Sequence, residues 1–206
     1  MPVLVDRRED WVKIANVCLA VAVVSLVLNI SLPWELSGQM QTYSFIRKTI
    51  SKVFSSGTLW AAVPVCAGWQ MGRPRAAAVA GLAAAEGTLL VHYVLGMTLG
   101  IYDSTELSSN VTWFLAAAIV GGPLGLCGWI ASRPGWAGVA GRLLVPLGAV
   151  LEPFATGRFN HPFPQIPWPE RYSDTASAVL LMTLGALLTA VVLQRGPNRL
   201  VHPLAR

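Results

Sequence analysis

Charge is scarce in this sequence. Only 12% of its 206 residues are Asp, Glu, Lys or Arg, against about 25% in a typical soluble domain. That supply cannot cover a wetted surface, so a soluble globular domain is excluded. A disordered chain is excluded as well, because apolar residues dominate. Cysteine is also rare. Cys18, Cys66 and Cys127 each stand inside an apolar stretch, with no C-x-x-C or Cys/His spacing. This rules out a disulfide-stapled secreted domain and leaves no metal motif. Catalytic signatures are missing too: there is no H-E-x-x-H, no G-x-S-x-G, no Walker loop and no pair of intramembrane aspartates. An enzyme is the least supported class, and no cofactor is implied.

Apolar residues make up 54% of the chain, and the mean hydropathy is +0.55. Several runs reach the roughly 20 residues that a helix needs to cross a hydrocarbon core. The chain therefore reads as an all-α, polytopic transmembrane bundle, an integral membrane protein whose first partner is the lipid bilayer. A net charge of +5 would suggest a nucleic-acid partner in a soluble protein. Here the basic residues lie at the ends of apolar runs, where they orient the chain instead.

The spacing predicts six helices in one membrane domain, spanning about 14–32, 53–71, 76–99, 111–130, 136–154 and 174–193. The first resembles a signal peptide at its basic start, yet no A-x-A-like site follows it, so it reads as an uncleaved span. Residues 43–54 follow a different rule. Tyr43, Ile46, Ile50, Val53 and Phe54 recur at helical spacing, with Arg47, Lys48, Ser51 and Lys52 opposite. That pattern predicts an amphipathic helix in the headgroup plane or the wet first turns of the second span, its charges reaching water. Residues 153–172 form a Pro-rich, aromatic outer loop.

Placing the N-terminus inside puts nine Lys/Arg residues in inner segments and five in outer ones. Both termini are therefore expected in the cytoplasm. The group Arg47, Lys48 and Lys52 is the weak point of that count.

Sliding the chain by sixty residues gives an internal match. Gly68-Trp69, Arg73-Pro74, Ala77 and Val79-Ala80-Gly81 recur as Gly128-Trp129, Arg133-Pro134, Ala137 and Val139-Ala140-Gly141. This predicts a duplicated two-helix hairpin, helices two-three and four-five, with a seam between the copies.

Candidate binding residues follow from that frame. Glu86 falls near the middle of the third span, where a carboxyl is costly and marks a function or a buried partner. The offset sets Arg142 one turn shallower on the equivalent helix, so a Glu86–Arg142 pair across the seam is expected. The same pair also serves simply to lock two helices together. Tyr93 shares the face of Glu86. His92 and Glu152 occupy equivalent repeat positions; with Asp103, Arg158 and His161 they are expected to rim an outward pocket or, more plainly, to meet water at helix ends. Gly121-x-x-x-Gly125 and the helix prolines Pro64, Pro123 and Pro146 suit close packing or exposed carbonyls.

The pattern Trp60…Gly68…Arg73-Pro74…Ala77, Trp113…Gly121-Gly122-Pro123-Leu124-Gly125…Gly128-Trp129 and Glu152-Pro153 resembles a family of small uncharacterised actinobacterial membrane proteins. The likeness covers residues 30–160 and implies a bacterial cytoplasmic membrane, with no activity to transfer. Two functions are expected from the residues. One is a small transporter or ligand-binding membrane protein, taking a small molecule at a polar site between the hairpins. The other is an accessory subunit, as a homo-oligomer or within a larger membrane complex, docked through a lipid-facing stripe such as Ala76, Ala80 and Ala84.

Overall fold

The computed structural model describes residues 6–160 and 165–197. Among the described residues the protein is all-helical: α1 (Asp6–Asn29), α2 (Pro33–Leu36), α3 (Gln41–Phe54), α4 (Gly57–Trp69), α5 (Pro74–Thr98), α6 (Ser104–Ser109), α7 (Val111–Ala131), α8 (Gly135–Ala155) and α9 (Trp168–Arg195). Five of these, α1, α5, α7, α8 and α9, are long and apolar enough to cross a membrane. With 13 residues, α4 is only about 20 Å long and cannot cross a core of roughly 30 Å. It becomes a sixth span only together with α3, from which it bends by 40°. The break is a serine turn. Ser56 is extended and fully buried, and its hydroxyl accepts the Leu59 amide at 3.2 Å, starting α4 afresh.

The tightest packing is made by glycine. A Cβ on Gly125 would lie 2.2 Å from the Ala77 carbonyl, and one on Gly81 would lie 2.4 Å from that of Gly121. The α4–α7 crossing is as close: Gly68 meets the backbone of Gly125, and Gly128 meets that of Val65. Such small-residue crossings let backbones touch where lipid supplies no hydrophobic drive. Around them Ile14, Cys18, Val63, Ala67, Met71 and Ala77 form the core of α1, α4 and α5. Ala80 and Ala84 belong to that core, at 0% and 1% exposure. The expected lipid-facing Ala76, Ala80 and Ala84 stripe is thus overturned, because α1 covers it and Cys18 reaches the Ala84 carbonyl.

The helix α3 is amphipathic. Tyr43, Ile46 and Ile50 are exposed, while Ser44 and Thr49 are buried. The basic residues point into the protein. Arg47 binds Glu35 at 2.7 Å and the Leu28 carbonyl at 2.7 Å, closing the end of α1. Lys52 binds Asp174 at 2.7 Å and Glu170 at 2.5 Å, and Lys48 also pairs with Glu170. Glu35 sits where burial opposes its charge, yet the Leu32 amide and Arg47 outweigh this and hold its carboxyl below the usual range. The charges of α3 therefore staple α2 and α9 to α3 and do not reach for headgroups.

At the other end of the bundle the two hairpin turns touch. Trp129 Nε1 and Arg133 both donate to the Gly72 carbonyl at 3.4 Å, and Arg133 stacks on the Trp129 ring.

Candidate functional site

The α4 and α7 helices run in the same direction and are pinned together at Gly68, Gly125 and Gly128. Away from that point they diverge toward Gly57 and Val111, because the residues between them change from glycine to Trp60 and Trp113. The divergence leaves a cavity of about 370 Å³, walled by α4 and α7 and backed by α5 and α1. This is within the range of small-ligand pockets, about 300–1,000 Å³. No Asp, Glu, Lys or Arg lines it among the described residues.

Most polar groups in its wall are already engaged. Thr88 donates to the Ala84 carbonyl at 2.6 Å, and Trp60 Nε1 donates to the Phe54 carbonyl at 3.1 Å. His92 lies 3.3 Å from the Ala22 carbonyl through Nδ1 and 3.1 Å from the Tyr102 hydroxyl through Nε2. A carbonyl only accepts, so Nδ1 carries a proton, and Nε2 shares the second hydrogen bond with the Tyr102 hydroxyl. Both ring nitrogens thus fix the imidazole in place. Trp60, Tyr93 and Tyr102 surround it, with ring centroids 5.2 to 5.9 Å from its own. Tyr102 fits there because Gly96 has no side chain; a Cβ would lie 2.2 Å from the tyrosine ring.

Three hydroxyls on the wall are uncommitted. The side chains of Ser25, 2% exposed, Ser55 and Tyr93 have no hydrogen-bond partner among the described residues, and all three residues line the cavity. The α7 side of the wall is thin. Trp113 and Val120 line the cavity yet are 61% and 45% exposed on the flank of the molecule. The cavity is therefore exposed along α7 and also at its Asn29, Ser55 and Gly57 end, where those lining residues are exposed too. Chemically, the site offers apolar and aromatic surface, three free hydroxyls and no charge.

Of the residues expected at a site, His92 and Tyr93 are brought together here. The others lie elsewhere. Glu86 is half-buried and does not line the cavity, although Leu89 and Tyr93, one and two turns further along α5, do. Arg142 donates to the Gly138 carbonyl at 2.9 Å and to that of Arg133 at 3.5 Å. The expected Glu86–Arg142 pair is not made, because α4 and α7 stand between α5 and α8 and no Cα of one comes within 8 Å of the other. Glu152 caps α4 from α8, accepting the Gly57 amide at 3.1 Å and the Thr58 amide at 2.7 Å. Arg158 completes that joint, binding Glu152 at 3.1 Å, Ser177 at 2.9 Å and the Lys52 carbonyl at 3.1 Å. Asp103 caps α6 on the surface through the Thr105 amide. The expected polar rim is thus dispersed; His161 lies outside the described residues.

Trp60, Ser25 and Trp113 line the cavity without having been among the expected site residues. Only the tryptophans carried a signal, as large residues near the outer ends of spans; nothing in the periodicity of α1 sets Ser25 apart. Among the described residues no three metal-ligating side chains converge. Comparison with family models, curated proteins and solved structures returns no match for this chain.

Proposed function

We propose that this integral membrane protein binds a neutral, largely apolar ligand that reaches the α4–α7 cavity from the bilayer. One observation carries the reading: an uncharged cavity of about 370 Å³ with an exposed wall along the apolar helix α7, at Trp113, Ala116 and Val120. A charged solute would find no counter-ion there, and burying its charge unpaired is prohibitive. A lipophile with a hydroxyl, carbonyl or ether group would satisfy Ser25 and Tyr93 at one end and lie against Trp60 and Trp113 along its length. This favours the ligand-binding form of the expectation over transport of an ion.

The test is direct. The protein is purified in a mild detergent, the bound lipophiles are extracted, and their identity and stoichiometry are measured by mass spectrometry. Ala116 lies at the exposed mouth of the cavity, so Ala116→Phe fills the entrance without entering the core. Near-stoichiometric ligand is expected on the wild type, with a several-fold loss on the variant at unchanged helicity. An empty wild type, or equal loading of both, overturns the reading.

Three further elements belong to the proposal. We infer that the two hairpins are copies: the contact of Gly68 with Gly125 has its counterpart, sixty positions on, in that of Gly128 with Val65. We place both termini in the cytoplasm, supported by the Lys/Arg bias. The acids that pair with Arg47, Lys48 and Lys52 give those outer charges a reason to be where they are. A bacterial cytoplasmic membrane is the location that the resemblance supports.

A further inference from the structure

Several charges near the ends of the helices are paired. Arg47 has Glu35, Lys52 has Glu170 and Asp174, and Arg158 has Glu152. Against that habit Glu86 stands out. It is the midpoint of α5, Pro74–Thr98, about 18 Å from either end at 1.5 Å per residue. It has no hydrogen-bond or ion-pair partner among the described residues. Its helical neighbours Val79, Leu82 and Leu90 are 59%, 38% and 54% exposed while Leu89 and Tyr93 are buried, so Glu86 stands at the edge where the packed face of α5 gives way to its outward face. A carboxyl at this depth is among the costliest groups to leave against lipid.

A second observation concerns space beside it. Ala83 is exposed, and a Cβ on Gly87 would meet nothing within 4 Å. The two are four residues apart, the spacing that lets a neighbouring backbone approach closely. Elsewhere in the protein glycines of this kind are filled, Gly81 by α7 and Gly68 by α7. Here the groove and the carboxyl lie together on one unoccupied face.

We propose that the outward face of α5 at Ala83, Glu86 and Gly87 docks a membrane-spanning helix of another protein, one that carries Lys or Arg at mid-depth. Charge selects this occupant. A cation at the same depth neutralises Glu86 through a charge-assisted hydrogen bond in a medium where little else competes. A second copy of this chain would bring the same carboxylate against it and add repulsion. The inference is independent of the cavity, which neither Glu86 nor Ala83 nor Gly87 lines.

The experiment uses synthetic transmembrane peptides of leucine with identical flanks and either lysine or leucine at the centre. Each is co-reconstituted with the full-length protein in phosphatidylcholine vesicles, and association is read by energy transfer. The lysine peptide is expected to associate roughly tenfold more tightly than the leucine peptide. Glu86→Gln should erase that preference, Glu86→Asp should keep part of it, and Gly87→Leu should weaken binding of the lysine peptide with the charge intact. Equal association of both peptides with the wild type overturns the proposal, as does undiminished preference in Glu86→Gln. Stoichiometric disulfide pairing of Ala83→Cys between two copies overturns it as well, assigning the face to self-association.

Discussion

Gly125 and Gly87 are the same residue type in helices of the same bundle, and the structure asks opposite things of them. At Gly125 a methyl group would lie 2.2 Å from a backbone carbonyl, and neither helix can retreat without opening the α4–α7 crossing as well. Gly125→Ala should destabilise the protein by about 1–3 kcal/mol, the usual cost of overpacking, seen as a lower thermal midpoint in detergent. At Gly87 the methyl meets nothing, and Gly87→Ala should be neutral or stabilising by up to about 1 kcal/mol through helix propensity. Equal effects at the two sites would contradict the packing described here. The sequence makes Gly121-x-x-x-Gly125 visible as a packing motif, because spacing alone suggests it. It does not reveal which glycine is filled, since that depends on the helix opposite. Glu86 is similar: its depth was readable from its position in the span, but its direction was not.

Elements raise a different difficulty, and α3 illustrates it. Periodicity identifies two faces of a helix without saying what each one touches. In water the apolar face turns to the protein; beside lipid the medium is itself apolar, so the polar face turns inward and needs partners there. Those partners, Glu170 and Asp174, lie more than a hundred residues further on, beyond the reach of any local pattern. The ion pairs should be energetically coupled. In a double-mutant cycle with Lys52→Met and Asp174→Leu, a coupling of about 1 kcal/mol is expected, measured by thermal unfolding. Additive effects would show the pair to be incidental. Glu152 was legible as a polar residue near a helix end, yet its task, closing the amide end of a helix from a different hairpin, follows only from the fold.

At the scale of the molecule, the composition and the run lengths were enough to predict a polytopic helical bundle, since the bilayer leaves few other solutions for such a chain. The cavity was not legible, because it arises from divergence between two helices whose approach depends on residues at their other ends. Orientation remains open to a simple measurement. In a variant lacking the three native cysteines, Gln39→Cys should react with an impermeant maleimide added to intact spheroplasts. Gly72→Cys should react only after the membrane is opened. The reverse pattern would invert the assigned topology.

The glycine-bound end of the α4–α7 pair has one more consequence, for how such a chain changes over generations. At that end almost any added atom collides with backbone, so inheritance there is confined to very small side chains. Toward Trp60, Ala116 and Val120 the walls stand apart, and a substitution alters only the shape offered to a guest. A lineage carrying this fold is therefore free to retune what it holds while the frame beneath stays fixed. Specificity and foldability are written in separate parts of the same two helices.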